Sequence, residues 1–408
     1  MSILFLDPVG TLGGAERSLL DLVAAIQATD VRIPIGLIVG GEGPLAQEAR
    51  DLGVRVSVVP LPRRLSRAGE HAIMGIAGIV RNTPSLASAG ASLGGYAREL
   101  DRAVCGFAPT VIHSNGMKMH LLSAILPRRG VRVVWHLRDF LGQRAVMGRV
   151  LRTLASRADG LVAISRAIAE DAEVAVGRRD VTVIYNGIDT RRFAPEGPRL
   201  DLDALSQLPP LPRGVVRVGL VATYARWKGQ DVFIDAAAQF VALHGTDRAR
   251  FYVVGGPQYD TDASQFSEHE LRARIDARKL RSVIGVVPFQ TAPELVYRSL
   301  DVAVHASTRP EPFGRTIAEA MASGCALISS REGGAAELGT AQVDAAPIAP
   351  RDASLLAAEI AALVSDPARR ARLGAAARRT ALLRFSRERL GPEILGVYRR
   401  IGAIASAR

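Results

Sequence analysis

Ile3-Leu-Phe-Leu-Asp7, then Gly13-Gly14-Ala15-Glu16, then Leu19, Leu22, Val23 and Ile26 are the residues whose reading decides the fold class of this 408-residue chain. The first run is short and continuously apolar, as a strand buried on both faces requires. The last four fall on one face of a helix expected over 15–27. A strand, a glycine loop and a helix open a βα unit, and the pattern recurs. Strands are expected at 34–39, 55–59, 110–113, 131–135, 160–164 and 181–185, separated by helix-length segments, which marks a parallel sheet covered on both faces. Over 186–213 the pattern lapses into Gly187, Pro195, Gly197, Pro198, Pro209, Pro210 and Pro212, which predicts a linker. A second series follows, with strands at 215–221, 250–254, 283–287, 301–304 and 326–329. Helices are predicted at 231–243, 268–279, 293–300, 315–323, 352–365, 368–384 and 386–404. The expectation is an α/β chain of two doubly wound domains facing across a cleft, with ligands outside the strand carboxyl ends.

Composition narrows the class of protein. At 48% hydrophobic and 23% charged residues the chain is globular, and no uncharged run is long and apolar enough to span a bilayer. Cys105 and Cys325 stand far apart, so neither a disulfide scaffold nor a cysteine-built zinc site is expected. Met1 leads directly into the first strand without a basic leader, so a cytoplasmic location is expected. The 52 basic residues exceed the 40 acidic ones by 12, which suits a phosphorylated ligand or an anionic surface. The excess is spread over both halves and forms no polybasic tail, so no nucleic-acid partner is expected.

Three segments carry the chemistry. In Glu311-Pro-Phe-Gly-Arg-Thr-Ile-Ala-Glu319 a loop delivers Glu311 beside the start of a helix, whose free N–H groups and partial positive charge suit a phosphate. Glu319 lies a turn further on, so the two acids could meet opposite ends of one elongated ligand. Thr223-Tyr-Ala-Arg226-Trp-Lys228-Gly229 follows the strand 215–221 and places a guanidinium and an ammonium at its carboxyl end, a cationic cradle for phosphate. Gly13-Gly14 permits a close approach to the backbone. Neither the G-x-G-x-x-G fingerprint nor a Walker lysine motif is present.

Together these segments resemble the family 4 retaining glycosyltransferases of the GT-B fold (glycosyl transferases group 1), over essentially the whole chain. The most specific match is the pair Glu311 and Glu319 with Pro-Phe-Gly between them. Supporting matches are Gly13-Gly14-Ala15-Glu16, Asn186-Gly-Ile-Asp189, Arg226 with Lys228-Gly229, Gly255-Gly256-Pro257 and Gly333-Gly334-Ala-Ala-Glu337. The resemblance implies an acceptor-binding domain over 1–187, a linker over 188–213, a donor-binding domain over 214–385 and a terminal helix, 386–408, packed back on the first domain. It implies transfer of a sugar from a nucleotide-diphosphate sugar, UDP or GDP, to a hydroxyl acceptor: a glycan, a lipid-linked sugar or a small molecule. No metal and no cofactor are implied. Arg226 and Lys228 would neutralise the diphosphate, Glu319 would hold the ribose and Glu311 the donor sugar. Backbone groups of Phe313, Gly314, Arg315 and Thr316, with Gly256, Gly13 and Gly14, would line the donor. Fixed charge at the leaving group fits the general rule for such catalysis.

The chain departs from the commoner family pattern at Thr223, where many relatives have an arginine, and at Asn115, the second position of a His-x-His pair. Asn115 can hold a sugar hydroxyl but cannot act as a base. His113 is expected among the catalytic groups, with Asn115, His136 and Arg138 as acceptor or cleft candidates. Acceptor contacts are expected within 61–100. In that stretch Arg63, Arg64 and Arg67 precede the apolar run 72–80, followed by Arg81, a pattern that could rest peripherally on an anionic leaflet. The alternatives are a GT-B-fold epimerase or phosphorylase and a non-catalytic sugar-nucleotide-binding protein.

Overall fold

The computed structural model describes residues 1–62, 84–257 and 264–404, the side chains of 84–93 excepted. Two compact units form. The first comprises Met1–Gly187 with Arg387–Arg408, the second Ile188–Ser386. Of the stretch 61–100, expected to supply acceptor contacts, residues 63–83 fall outside the described residues, and with them the whole basic, apolar run 63–81.

In the first unit, strands β1 (Ile3–Asp7), β2 (Ile35–Val39), β3 (Arg55–Val58), β4 (Val111–Asn115), β5 (Arg132–Leu137), β6 (Gly160–Ala163) and β7 (Val181–Val183) form one sheet ordered β3-β2-β1-β4-β5-β6-β7. All its pairings are parallel. β1, β2 and β4 are buried along their whole length, as strands covered on both faces are. The helix Gly14–Thr29 covers one face through Leu19, Leu22, Val23 and Ile26. The last helix, Leu390–Arg400, packs on Gly14–Thr29 and buries Leu390, Ile394, Leu395, Val397 and Tyr398. This crossing is close. A Cβ on Gly391 would stand 2.1 Å from Thr29 Oγ1 and 2.4 Å from the Ala25 carbonyl, so only glycine fits there.

In the second unit β8 (Val216–Val221), β9 (Ala249–Gly255), β10 (Ile284–Pro288), β11 (Val302–His305), β12 (Ala326–Ser330) and β13 (Ala346–Ile348) form a parallel sheet ordered β10-β9-β8-β11-β12-β13. Its core is built around Phe233, Phe240 and Phe251, whose rings meet edge-on at 5.6–5.9 Å. The proline-rich stretch 188–213, expected to be a linker, lies within this unit. Ile188, Thr190, Phe193 and Leu202 are buried, Ile188 bridges to Ser386, and Arg378 Nη1 donates to the carbonyls of Thr190, Phe193 and Ala322. Its prolines break regular structure without freeing the chain from the core.

Each strand order turns back on itself once, between β1 and β4 in the first sheet and between β8 and β11 in the second. Successive connections leave these points in opposite directions, which opens a crevice at the strand carboxyl ends where such sheets hold ligands.

Candidate functional site

In the second unit the loops leaving β8 and β11 are locked together before any side chain is considered. Gly229 ends the turn Arg226–Lys228 with φ +77°, and a Cβ there would lie 2.0 Å from the Ala306 carbonyl oxygen. The Thr308 N–H donates to the Trp227 carbonyl at 2.7 Å. Lys228 and Glu311, distant in sequence, are thereby brought into contact, and Lys228 Nζ donates to Glu311 Oε2 at 2.7 Å. The same oxygen accepts from Ser307 Oγ at 3.0 Å and faces His305 Nε2 at 3.2 Å. The Glu311 backbone is pinned as well, its N–H to the Glu332 carbonyl and its carbonyl to the Gly334 N–H. Burial alone would push the Glu311 carboxyl upward. The Lys228 charge and the hydrogen bonds from His305 and Lys228 outweigh it and hold the group well below the usual carboxylate range. Glu311 is therefore a buried, fixed anion with Oε2 committed to protein donors.

The helix Arg315–Ala322 begins after Gly314, at φ +97°. One turn in, Glu319 is buried, with Oε1 accepting from Arg315 Nε at 2.8 Å and Oε2 from the Tyr297 hydroxyl at 3.4 Å. Phe313 is buried and meets Phe385 edge-on at 6.0 Å. Gly256, just past β9, accepts from the Tyr224 N–H at 3.0 Å. Arg226 lies over the Phe266 ring at 4.5 Å and donates to Glu270 Oε1 at 2.7 Å. Glu270 is pulled down to about 2 by the Ser267 N–H that it caps and by Arg226. Each basic side chain is thus paired with an acid, Lys228 with the buried Glu311 and Arg226 with the partly exposed Glu270.

In the first unit the carboxyl ends of β1, β4 and β5 carry a polar network. Asn115 Nδ2 donates to Asp7 Oδ2 at 2.6 Å, Arg138 Nε donates to Asn115 Oδ1, and Arg138 Nη1 donates to Asn186 Oδ1 at 3.0 Å. Arg138 Nη2 lies 3.5 Å from His136 Nδ1. His113, expected among the catalytic groups, lies on β4 two residues before Asn115. His113 is fully buried, with Nδ1 against the Tyr398 hydroxyl at 2.7 Å and Nε2 against His136 Nδ1 at 2.9 Å. Both of its ring nitrogens are thus engaged within the protein. Gly13 caps the helix Gly14–Thr29, its N–H donating to Glu16 Oε2 at 2.8 Å. A Cβ on Gly14 would meet nothing within 4 Å, so protein packing does not require glycine there.

Asp7 gives a prediction of its own. Burial, reinforced by Glu16, pushes its carboxyl up to about 7, against the hydrogen bond from Asn115. The folded state thus holds this proton more tightly than the unfolded chain does. Stability is therefore full below the ordinary carboxylate value near 4 and falls as pH rises toward 7, by on the order of 4 kcal/mol. Asp7→Asn should flatten the fall in melting temperature between pH 4 and 7. An unchanged slope would show that Asp7 is ionised throughout.

His305, Ser307, Glu270, Asp7 and Tyr398 belong to these clusters without standing out in the sequence. The available signal is weak: His305 and Ser307 are polar residues where an apolar strand ends, six and four residues ahead of Glu311.

Comparison with known proteins adds to this geometry. The description "Glycosyl transferases group 1" matches residues 210–380, and "Glycosyltransferase Family 4" matches residues 44–192. The alpha-maltose-1-phosphate synthase of Mycolicibacterium smegmatis is 26% identical over 355 residues, covering 78% of this chain and 86% of the relative. The D-inositol 3-phosphate glycosyltransferase of Nocardiopsis dassonvillei is 32% identical over 255 residues, covering 60% of this chain and 57% of the relative. Among solved structures, Anabaena HepE in complex with UDP superposes with a TM-score of 0.77 at 25% identity, covering 98% of this chain and 100% of that one.

Proposed function

We propose, for a chain that belongs to the glycosyl transferases of group 1 and has their two-domain GT-B fold, retaining and metal-independent transfer of a sugar from a nucleotide-diphosphate sugar to a hydroxyl acceptor. The chain is a nucleotide-sugar-dependent glycosyltransferase, as the matches in both halves establish. The observation that carries the finer reading is the Lys228–Glu311 pair at the β8/β11 crevice. It sets a cation for the departing diphosphate beside a fixed carboxylate for the donor sugar. Arg226 and Lys228 neutralise the diphosphate, with backbone groups of Phe313, Gly314, Arg315 and Thr316 at the helix start. Glu319 holds the ribose, and Gly256 allows close approach. Gly13 and Gly14, the second open above its backbone, are further donor-side positions, where the helix after β1 begins. The acceptor hydroxyl meets Asn115, His136 and Arg138. Its proton passes to a donor phosphate oxygen during front-face attack, so no side chain becomes a covalent nucleophile.

The acceptor is expected to be a sugar or polyol derivative, since relatives are named for alpha-maltose-1-phosphate, for D-inositol 3-phosphate and for lipopolysaccharide core biosynthesis. Among the described residues no helix is long and apolar enough to cross a membrane. A cytoplasmic enzyme that meets a lipid-linked acceptor at an anionic leaflet is part of the proposal, tested by sedimentation with anionic vesicles.

The experiment is donor turnover with UDP-glucose and GDP-mannose, with and without sugar acceptors, in EDTA. Transfer that survives EDTA is expected because fixed cations do the work of a metal. A strict requirement for added Mg2+ or Mn2+ overturns metal independence, an inverted product overturns retention, and binding without turnover leaves a sugar-nucleotide-binding protein.

Glu270 supplies a further prediction. Without donor it occupies Arg226, so a diphosphate must compete with a carboxylate for that guanidinium. Glu270→Gln should strengthen UDP binding by about fivefold, a modest change because the pair is exposed to water. Weaker binding would mean that Glu270 orients Arg226 for the donor instead of competing with it.

A further inference from the structure

We infer that Tyr398, on the last helix, is a positioning residue that fixes the proton on His136 and so presents its Nε2–H to a sugar hydroxyl oxygen. The inference rests on the proposed sugar contact of the first unit's polar network. It concerns residues of that unit alone.

Tyr398 is fully buried, and among the described residues its hydroxyl has one hydrogen-bond partner, His113 Nδ1 at 2.7 Å. A buried phenol proton without an acceptor has lost water and gained nothing in return, so Tyr398 donates and Nδ1 accepts. Burial, then the charges of Arg138 and His120, keep the His113 pKa well below its ordinary value. A neutral imidazole carries one proton, so that of His113 lies on Nε2. This Nε2 faces His136 Nδ1 at 2.9 Å and therefore donates to it. Arg138 Nη2, 3.5 Å from the same atom, has only protons to offer and favours the same assignment. His136 is also held neutral, by burial first and then by Arg138. With Nδ1 accepting, its proton lies on Nε2.

That Nε2 is buried and has no hydrogen-bond partner among the described residues. The chain Tyr398–His113–His136 thus runs one way, from a phenol to an unpartnered N–H at the carboxyl end of β5. Asn115, its register partner on β4, stands beside it. Unpartnered buried donors are rare in folded proteins. A sugar hydroxyl oxygen, neutral and with free lone pairs, is the group this one fits. The opposite tautomer would present a lone pair, and His136 could then take a proton from the hydroxyl. Tyr398 excludes that form, so His136 holds a hydroxyl oxygen without deprotonating it. This agrees with a proton that leaves by way of the donor phosphate.

Imidazole 1H–15N correlation spectra of the full chain, without ligand, test the tautomers directly. Wild type is expected to show His113 and His136 protonated at Nε2 alone. Tyr398→Phe keeps the ring and removes the donor, so an Nδ1–H form of His113 should appear and the fixed proton of His136 should be lost. His113→Gln, whose amide can donate or accept, should also mix the two forms of His136. Protonation of His136 at Nδ1 in wild type, or unchanged spectra in both variants, overturns the inference. UDP, UDP-glucose and glucose then identify the oxygen. A shift of the His136 Nε2–H signal with UDP-glucose beyond that with UDP assigns the donor's sugar, and a shift with glucose alone assigns the acceptor's. No shift at His136 while other signals report bound UDP-glucose overturns the hydroxyl contact. Failure of UDP-glucose to bind at all would instead count against the donor reading and leave the ligand-free tautomers to be judged separately.

Discussion

Lys228→Ala is expected to weaken binding of a nucleotide-diphosphate sugar by about 10- to 100-fold and to lower the melting temperature, because two anions depend on one ammonium. A charge-assisted contact of this kind contributes about 1.5–3 kcal/mol, and each 1.4 kcal/mol is about tenfold in affinity. The loss of stability has a separate origin. Lys228 is the full positive charge hydrogen-bonded to the buried Glu311, and removing one partner of a buried pair costs about 3–5 kcal/mol unless the other is neutralised. Here Glu311 can take up a proton, which limits the loss. The pH dependence follows from the depressed Glu311 pKa. A carboxylate of this kind contributes stability above its unfolded value near 4, and the contribution disappears as pH falls through the lower folded value. Wild type and Lys228→Ala should therefore differ most at neutral pH and converge in acid. Lys228→Arg is not a conservative control, since the ammonium sits 3.9 Å over the Trp227 ring as well as on Glu311. Equal donor affinity in Lys228→Ala and wild type would remove the diphosphate from this crevice.

The fold is legible in the sequence because parallel strands buried on both faces leave unbroken apolar runs. Ile3 to Leu6 in β1, Phe251 to Val254 in β9 and Val302 to Val304 in β11 are such runs, and every one of these residues is buried. The strand without a sequence signal is β13, Ala346–Ile348. It is three residues long, pairs only with β12 and carries Pro347, which has no N–H to give a ladder. The stretch 188–213 reads as a linker for a related reason. Its prolines and glycines leave room for no more than the short helix Leu202–Leu205, whereas part of its attachment to the second unit comes from Arg378, far along the chain.

The candidate site is legible where its chemistry lies within one loop and obscure where it depends on strand order. Glu311, Glu319, Arg226 and Lys228 stand in two short segments whose residue types suggest phosphate and sugar. That Lys228 reaches Glu311 follows only from β8 lying next to β11. His113 depends on the fold in the same way: nothing near it in sequence announces Tyr398, 285 residues away, whose hydroxyl lies on its Nδ1. Likewise, Glu270 closes the cap of the helix Glu268–Ala277 together with Ser267. Its hold on Arg226 is visible only once the helix Glu268–Ala277 is packed against the loop after β8.

The two acids of the second unit should fail differently. Glu311→Ala is expected to lower kcat about 100-fold with a smaller change in donor KM, and Glu319→Ala to raise donor KM about tenfold with kcat less affected. The difference follows from how each carboxylate is held. Glu311 Oε2 is committed to Lys228, Ser307 and His305, so the charge is fixed in place before the donor arrives. A fixed charge beside the sugar matters most as the glycosidic bond breaks and positive charge develops on the ring, a change that costs the protein no rearrangement. Glu319 accepts from Arg315 of its own helix and from the Tyr297 hydroxyl, and a ribose contact there is the same before and during bond breaking. Such uniform binding appears in KM rather than kcat. Glu311→Gln separates charge from shape, because it keeps the side chain's size while removing the anion, and it should retain most of the kcat loss of the alanine variant. Wild-type kcat in Glu311→Gln would show that the position needs only a hydrogen-bonding group. Equal, affinity-type losses in Glu311→Ala and Glu319→Ala would place both acids on the nucleotide and leave the donor sugar to other residues.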